Sequence, residues 1–112
     1  MTHVHAPDPS ELQRIIDESP SPIFVQFSAS WCGPCRAMAP HLEAFAQSRA
    51  NQLPVIKMDI NDHPEVAARF MVRAVPTSMV LDNGRVLGVH SGALSAAQLA
   101  RFVDGSVAVQ RS

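Results

Sequence analysis

The sequence predicts an α/β domain of three layers: a central mixed sheet of four to five strands flanked by four helices. Three observations predict it. Helix-start signals alternate with short apolar runs along the chain, the pattern of strands joined by crossover helices. Residues 23–29 are rich in apolar and aromatic side chains, which suits a strand buried on both faces of a largely parallel sheet. Near the end, Asn83-Gly84 separates two apolar runs, a strong signal for a tight antiparallel hairpin.

Each element has a local cause. Asp8-Pro9-Ser10-Glu11 reads as a helix start, with Asp8 capping, Pro9 at the first helical position and Glu11 closing a capping box. Leu12, Ile15 and Ile16 give that helix one apolar stripe, and Ser19-Pro20-Ser21-Pro22 ends it. A second helix is expected to start around Cys35, with Met38, Leu42 and Phe45 recurring on one side and Pro40 kinking it. Residues 53–60 read as another strand. Pro64 and Glu65 open a short third helix over Val66, Ala67 and Phe70. Residues 77–81 and 85–91 form the hairpin. Ser95 and Gln98 repeat the capping-box pattern, with Leu99, Phe102 and Val103 facing inward. Val4 lies where a short first strand fits, and residues 1–7 and 106–112 are expected to fray as tails.

Composition excludes several classes. The chain has 112 residues, one domain's worth, and 46% of them are hydrophobic, enough for a core. Nine Lys+Arg against ten Asp+Glu leave no basic excess, so nucleic-acid binding is not expected. No apolar run approaches the roughly 20 residues that span a bilayer. The first ten residues hold no Lys or Arg and no apolar stretch, so no secretory signal is expected and the expected location is the cytoplasm.

The two cysteines carry the chemistry. Trp31-Cys32-Gly33-Pro34-Cys35 falls between a buried strand and a helix start. Cysteines at this spacing can close a small disulfide ring and reopen it without unfolding the domain. Cys32 is placed where unpaired backbone N–H groups and the positive helix end favour an anion. The thiolate is the nucleophile: a thiol of pKa ~8.5 is about 3% ionised at pH 7, one of pKa about 7 about half. Cys35, one turn inward, is the natural resolving thiol. A zinc site needs four ligands, and the histidines at His3, His5, His41, His63 and His90 form no second pair at finger spacing, so no metal is expected within the chain. A cluster bridged between two subunits would need only this pair from each chain and is a separate reading.

These residues resemble a known family. Val25-Gln26-Phe27-Ser28-Ala29-Ser30-Trp31-Cys32-Gly33-Pro34-Cys35 resembles the active-site segment of thioredoxins. Arg73-Ala74-Val75-Pro76-Thr77 resembles their second signature, which contains a cis proline, and Asn83-Gly84 and Gly92 fall at the matching distances. The resemblance runs from about residue 8 to about residue 104. It implies the thioredoxin fold, with a cis Val75–Pro76 bond set against the cysteine pair. It also implies an apolar platform of Trp31, Gly33, Pro34, Val75, Pro76 and Gly92 around Cys32, with Trp31, Val75, Pro76 and Gly92 contacting substrate.

The resemblance further implies a thiol–disulfide oxidoreductase in which Cys32 attacks a protein disulfide and Cys35 resolves the mixed disulfide. No cofactor is bound: NADPH acts only through a partner thioredoxin reductase, and the chain carries no dinucleotide fingerprint. A monomer acting on disulfide-containing proteins is expected. The competing reading is a binding or chaperone-like module whose redox activity is weak or regulatory.

One departure stands out. The strand position of Gln26 carries a buried Asp in most thioredoxin-like proteins, where it is thought to accept the resolving thiol's proton, directly or through water. Gln26 keeps the size but not the basicity, and its expected role is that of a hydrogen-bonded core amide. Lys57, which faces that Asp in the family, loses its ionic partner and is expected either to contact Asp59 or to reach solvent. Ser91 is more polar than the residue expected there.

Overall fold

The structure, a computed structural model, describes residues 2–111. The elements run β1 (Val4–His5), α1 (Pro9–Glu18), β2 (Ile23–Ser28), α2 (Gly33–Ser48), β3 (Val55–Asp59), α3 (Pro64–Arg69), β4 (Thr77–Asp82), β5 (Arg85–Ser91) and α4 (Ala96–Arg111). The strands form one sheet in the order β1-β3-β2-β4-β5. β1 and β2 lie parallel to β3, while β4 runs antiparallel to β2 and to β5. The expected three layers, mixed sheet and four helices are all present.

Alternation along the central strands sorts two cores. Val25 and Phe27 pack with Leu12, Ile16, Ile56, Met58, Met79 and Leu81 on the α1 and α3 side. Phe24 packs with Met38, Leu42, Phe45, Val55, Val80 and Leu99 on the α2 and α4 side. The period of two explains why every residue of β2 is buried: both faces of this central strand are covered by helices.

Local signals act as expected at most element ends. Asp8 accepts the Glu11 N–H at 2.8 Å. Glu11 does not complete that box from its side chain; its carboxylate instead lies 3.5 Å from His5 Nε2. Ser95 and Gln98 do form a reciprocal box, at 2.8 and 3.2 Å. Asn83 and Gly84 take positive φ, 52° and 83°, as a primed hairpin turn requires. α2 is continuous through Pro40.

Within the described residues, secondary structure reaches into both stretches expected to fray; Met1 and Ser112 lie outside them. β1 pairs with β3, and Glu43 on α2 accepts the His3 backbone N–H at 2.6 Å and the Thr2 hydroxyl at 2.7 Å. Those donors hold the Glu43 carboxyl below its usual range. At the other end α4 continues to Arg111. Ser106 is buried over β5, and its hydroxyl donates to Phe102 O at 2.8 Å.

Close approach of α4 to β5 depends on Gly88. A Cβ there would lie 2.2 Å from Ser106 Oγ, 3.0 Å from Ser106 Cβ and 3.4 Å from a Phe102 ring carbon. Rotating Ser106 cannot relieve the second contact. Gly88→Ala is therefore expected to cost about 1–3 kcal/mol in denaturant unfolding, and Ser106→Gly in the same chain is expected to return most of it.

Candidate active site

The site grows from the end of β2. After Ser28 the chain turns, Cys32 N–H bonding back to Ala29 O at 3.2 Å, and enters α2 with Cys32 as its N-cap. An N-cap side chain ordinarily offers oxygen to the first free N–H groups of the helix. Here it offers sulfur: Cys32 Sγ accepts the Cys35 N–H at 3.2 Å. Pro34, at the second helical position, has no N–H that could compete. This places the sulfur at the positive end of a 16-residue helix, a setting that favours negative charge on it.

Both thiols are buried. Cys32 is 4% exposed, beside the indole of Trp31, which is 63% exposed. Cys35 is 2% exposed and packs with Ala29, Cys32, Ile60 and Val75. Burial pushes the Cys35 thiol up to about 11, and the neighbouring Cys32 sulfur adds to the shift; the Ala29 backbone and the charge of Lys57 pull the other way. At pH 7 a thiol of that pKa is ionised about once in 10⁴. Cys35 can therefore act only if its proton is taken as it attacks.

The loop before β4 completes the site. The Val75–Pro76 bond is cis. Val75 O faces Cys32 Sγ at 3.8 Å, across 43 positions of sequence. Pro76 O accepts the Gly92 N–H at 2.8 Å, and Gly92 sits at φ 109°, open to glycine and hardly to other residues. Pro76 itself is buried, so it does not add surface to the platform as expected. The rim around the sulfur is Trp31, Gly33 and Pro34, exposed, with Val75 and Gly92 half-buried. Ser91 is exposed next to Gly92.

Gln26 only partly fits its expected role. It is fully buried, and its Nε2 donates to Met38 Sδ at 3.0 Å, while its Oε1 has no hydrogen-bond partner among the described residues. Lys57 pairs in register with Gln26 across β2 and β3. Of the two expectations for Lys57, contact with Asp59 or reach to solvent, the first is not met among the described residues: Asp59 Oδ1 takes the N–H groups of Asn61 and Asp62, at 2.7 and 3.2 Å, in the loop before α3. His41 is exposed on α2, and His63 is the N-cap position of α3 without a side-chain capping bond. Among the described residues, no group of three or more His, Cys, Asp or Glu gathers as a metal site. Sequence reasoning overlooked Met38 as the thioether facing Gln26, and Ser78, buried across from it; a polar residue inside an apolar strand run was the available signal.

A thiol N-cap, a buried second thiol three residues on and a cis-proline loop against both define a dithiol redox site on a thioredoxin fold. The thioredoxin family model matches residues 3–105. The chain is 36% identical to a thioredoxin of Haemophilus influenzae over 95 residues, 85% of this chain and 89% of that protein. It is 35% identical to a thioredoxin of Pseudomonas aeruginosa over 104 residues, 93% and 95% of the two chains. The solved structure of a Nicotiana alata thioredoxin matches with a TM-score of 0.83 at 27% identity, covering 94% of this chain and 93% of that one. The chain belongs to the thioredoxin family, and it is a thiol–disulfide oxidoreductase acting on disulfide substrates.

The raised pKa of Cys35 has a consequence for stability. The fold favours its neutral thiol, so this contribution is full below the ordinary value of 9.0 and is lost as pH rises towards about 11. The reduced protein is expected to lose more stability between those two pH values than its Cys35→Ser variant, measured by urea unfolding at each pH. Parallel curves for the two proteins would contradict the assignment.

Proposed function

We propose that this chain works as a cytoplasmic protein-disulfide reductase, with Cys32 as nucleophile and Cys35 as resolving thiol. The observation that carries this reading is the helix cap made by Cys32 Sγ on the Cys35 N–H, at 3.2 Å. It supports the outer sulfur as an anion and holds the inner residue one turn away.

In the cycle, the Cys32 thiolate attacks one sulfur of a substrate disulfide, and the other sulfur leaves as a thiol. Cys35 then gives up its proton and attacks Cys32 Sγ. The Cys32–Cys35 bond forms, the second substrate thiol leaves with a proton, and the protein is left oxidised. Two electrons and two protons pass to the substrate. Restoring the dithiol falls to a thioredoxin reductase drawing on NADPH, so the chain itself needs no bound cofactor.

Substrate recognition is assigned to Trp31, Val75, Pro76 and Gly92. Trp31 supplies exposed aromatic surface. Val75 presents backbone to an extended segment in the manner of strand addition, while the buried Pro76 and the Gly92 N–H bonded to it hold that loop in place. Gly33 and Pro34 shape the rim and the helix start. Lys57 supports the site through its charge, which favours the Cys35 thiolate. The protein is taken to act as a monomer. No helix among the described residues is long and apolar enough to cross a membrane, and the chain's charge balance gives no purchase on nucleic acid.

The decisive assay is insulin reduction by dithiothreitol with catalytic amounts of protein. Acceleration is expected, lost in Cys32→Ser, while Cys35→Ser accumulates a mixed disulfide visible by mass. An unaccelerated reaction would favour the binding-module reading instead.

Gln26→Asp tests the departure at the buried position. A carboxylate there is expected to speed resolution several-fold, measured by stopped-flow Trp31 fluorescence. It should also cost about 1–3 kcal/mol of stability at neutral pH, because the new group is buried. An unchanged resolution rate would show that proton transfer at this position does not limit turnover.

A further inference from the structure

α3 ends in a turn that favours glycine and holds methionine. Val72 N–H bonds to Ala67 O at 2.9 Å and Met71 N–H to Ala68 O at 3.1 Å, the paired bonds of a Schellman motif with Phe70 as the C-cap. The residue after such a cap takes left-handed backbone, and Met71 does so at φ 58°. Glycine is the usual occupant, because a Cβ is strained there. Met71 bears that strain without a return from packing. It is 79% exposed, the most exposed large hydrophobic among the described residues, and it joins none of the core clusters. Its neighbours Phe70 and Val72 do pack against the core. Neither the turn nor the core accounts for a thioether at this position.

Met71 is one wall of a groove beside the dithiol. A cavity of about 360 Å³ lies between the α3–β4 loop and β5, lined by Met71, Arg73 and Ala74 from the loop and by Val89 and Ser91 from the strand. Met79 of β4, the register partner of Val89, also lines it. Val89 is 54% exposed on β5, the edge of the sheet, so two exposed apolar side chains share the groove. Arg73 is the one charged residue on its walls. It is exposed and has no hydrogen-bond or ion-pair partner for its side chain among the described residues. Ala74 and Ser91 directly precede Val75 and Gly92, the residues assigned to substrate, and Val75 O lies 3.8 Å from Cys32 Sγ. The groove therefore continues the recognition surface away from the nucleophile.

We propose that Met71 is a specificity-determining residue: with Val89 it takes an apolar side chain of the substrate segment that carries the attacked disulfide, while Arg73 takes a carboxylate next to it. This rests on the reading of Cys32 as nucleophile and adds a substrate class to it. The favoured substrates are proteins whose target cysteine has an apolar and an acidic residue together a few places away. An extended segment laid along Val75 sends alternate side chains to one face, which brings such a residue over the groove. Methionine suits this task, being unbranched, polarizable and able to fit varied apolar shapes. Strain kept at an exposed position points to a role outside the fold. An unpaired cation at the rim adds a charge preference.

The test uses symmetric disulfides of short peptides, each with one cysteine in a Gly-Ser background and one leucine moved through the positions on either side. The second-order rate constant is read in a single turnover with the prereduced chain, by Trp31 fluorescence. Leucine at one position is expected to raise it roughly three- to tenfold over the leucine-free peptide. In Met71→Gly that preference is expected to fall below about twofold, although the variant unfolds at the same or a higher urea concentration because glycine relaxes the turn. Met71→Leu is expected to keep the preference. Met71→Gln, of similar length but polar, is expected to lose it, and Val89→Thr to weaken it. Glutamate beside the favoured leucine is expected to react about two- to threefold faster than lysine there, a difference removed by salt and by Arg73→Gln.

If the unmodified chain prefers no leucine position, or if the preference survives both Met71→Gly and Val89→Thr, the proposal fails. It fails also if Met71→Gly slows every peptide alike and unfolds at a lower urea concentration, which would make Met71 a structural residue. An unmodified chain that reduces not even the leucine-free disulfide would instead overturn the reading of Cys32 as nucleophile.

Discussion

The site depends on how one helix satisfies its first backbone N–H groups. A helix start leaves several donors without partners. In α2 one of them is met by a sulfur rather than an oxygen, at 3.2 Å. The same contact ends the loop, begins the helix and keeps the second cysteine one turn away. Moving the helix start by one residue would separate stability from chemistry; here they share one hydrogen bond.

The two thiols sit in one buried cluster. Both thiols are buried with Ala29, Ile60 and Val75, Cys32 next in sequence to the exposed Trp31 and Cys35 one turn into α2. Enclosure protects the inner thiol from unwanted partners and holds its proton firmly. The cost appears in the second half of the cycle, where that proton has to leave. Most thioredoxin-like chains answer with a buried carboxylate. This chain places an amide there and a serine across from it, exchanging a buried charge for a pair of neutral oxygens. Neutral groups avoid the desolvation penalty that a buried charge would carry.

Much of this was legible in the residues. Asp8, Ser95 and Asn83-Gly84 act locally, through caps and turn conformations a few residues wide, and each does in the structure what its neighbours imply. The cysteine pair announced itself by spacing and by position before a helix. Misjudged features were those set by distant neighbours. Pro76 looks like surface in a loop but is covered once its carbonyl is tied to Gly92. Residues beyond 106 look like a weak tail until β5 offers Gly88 for Ser106 to rest on. Asp59 looks free to meet Lys57 until the following loop claims its carboxylate.

By itself, then, the amino-acid order determined the alternation of helices and strands, the hairpin and the placement of two thiols at a helix N-terminus. Those features rest on backbone preferences and contacts between near neighbours in the chain. Only the tertiary structure decided which residues meet across the sheet. Strand register has no local cause: it follows from how the two apolar cores fill, and it alone sets Lys57, Gln26, Ser78 and His90 in one line across the sheet.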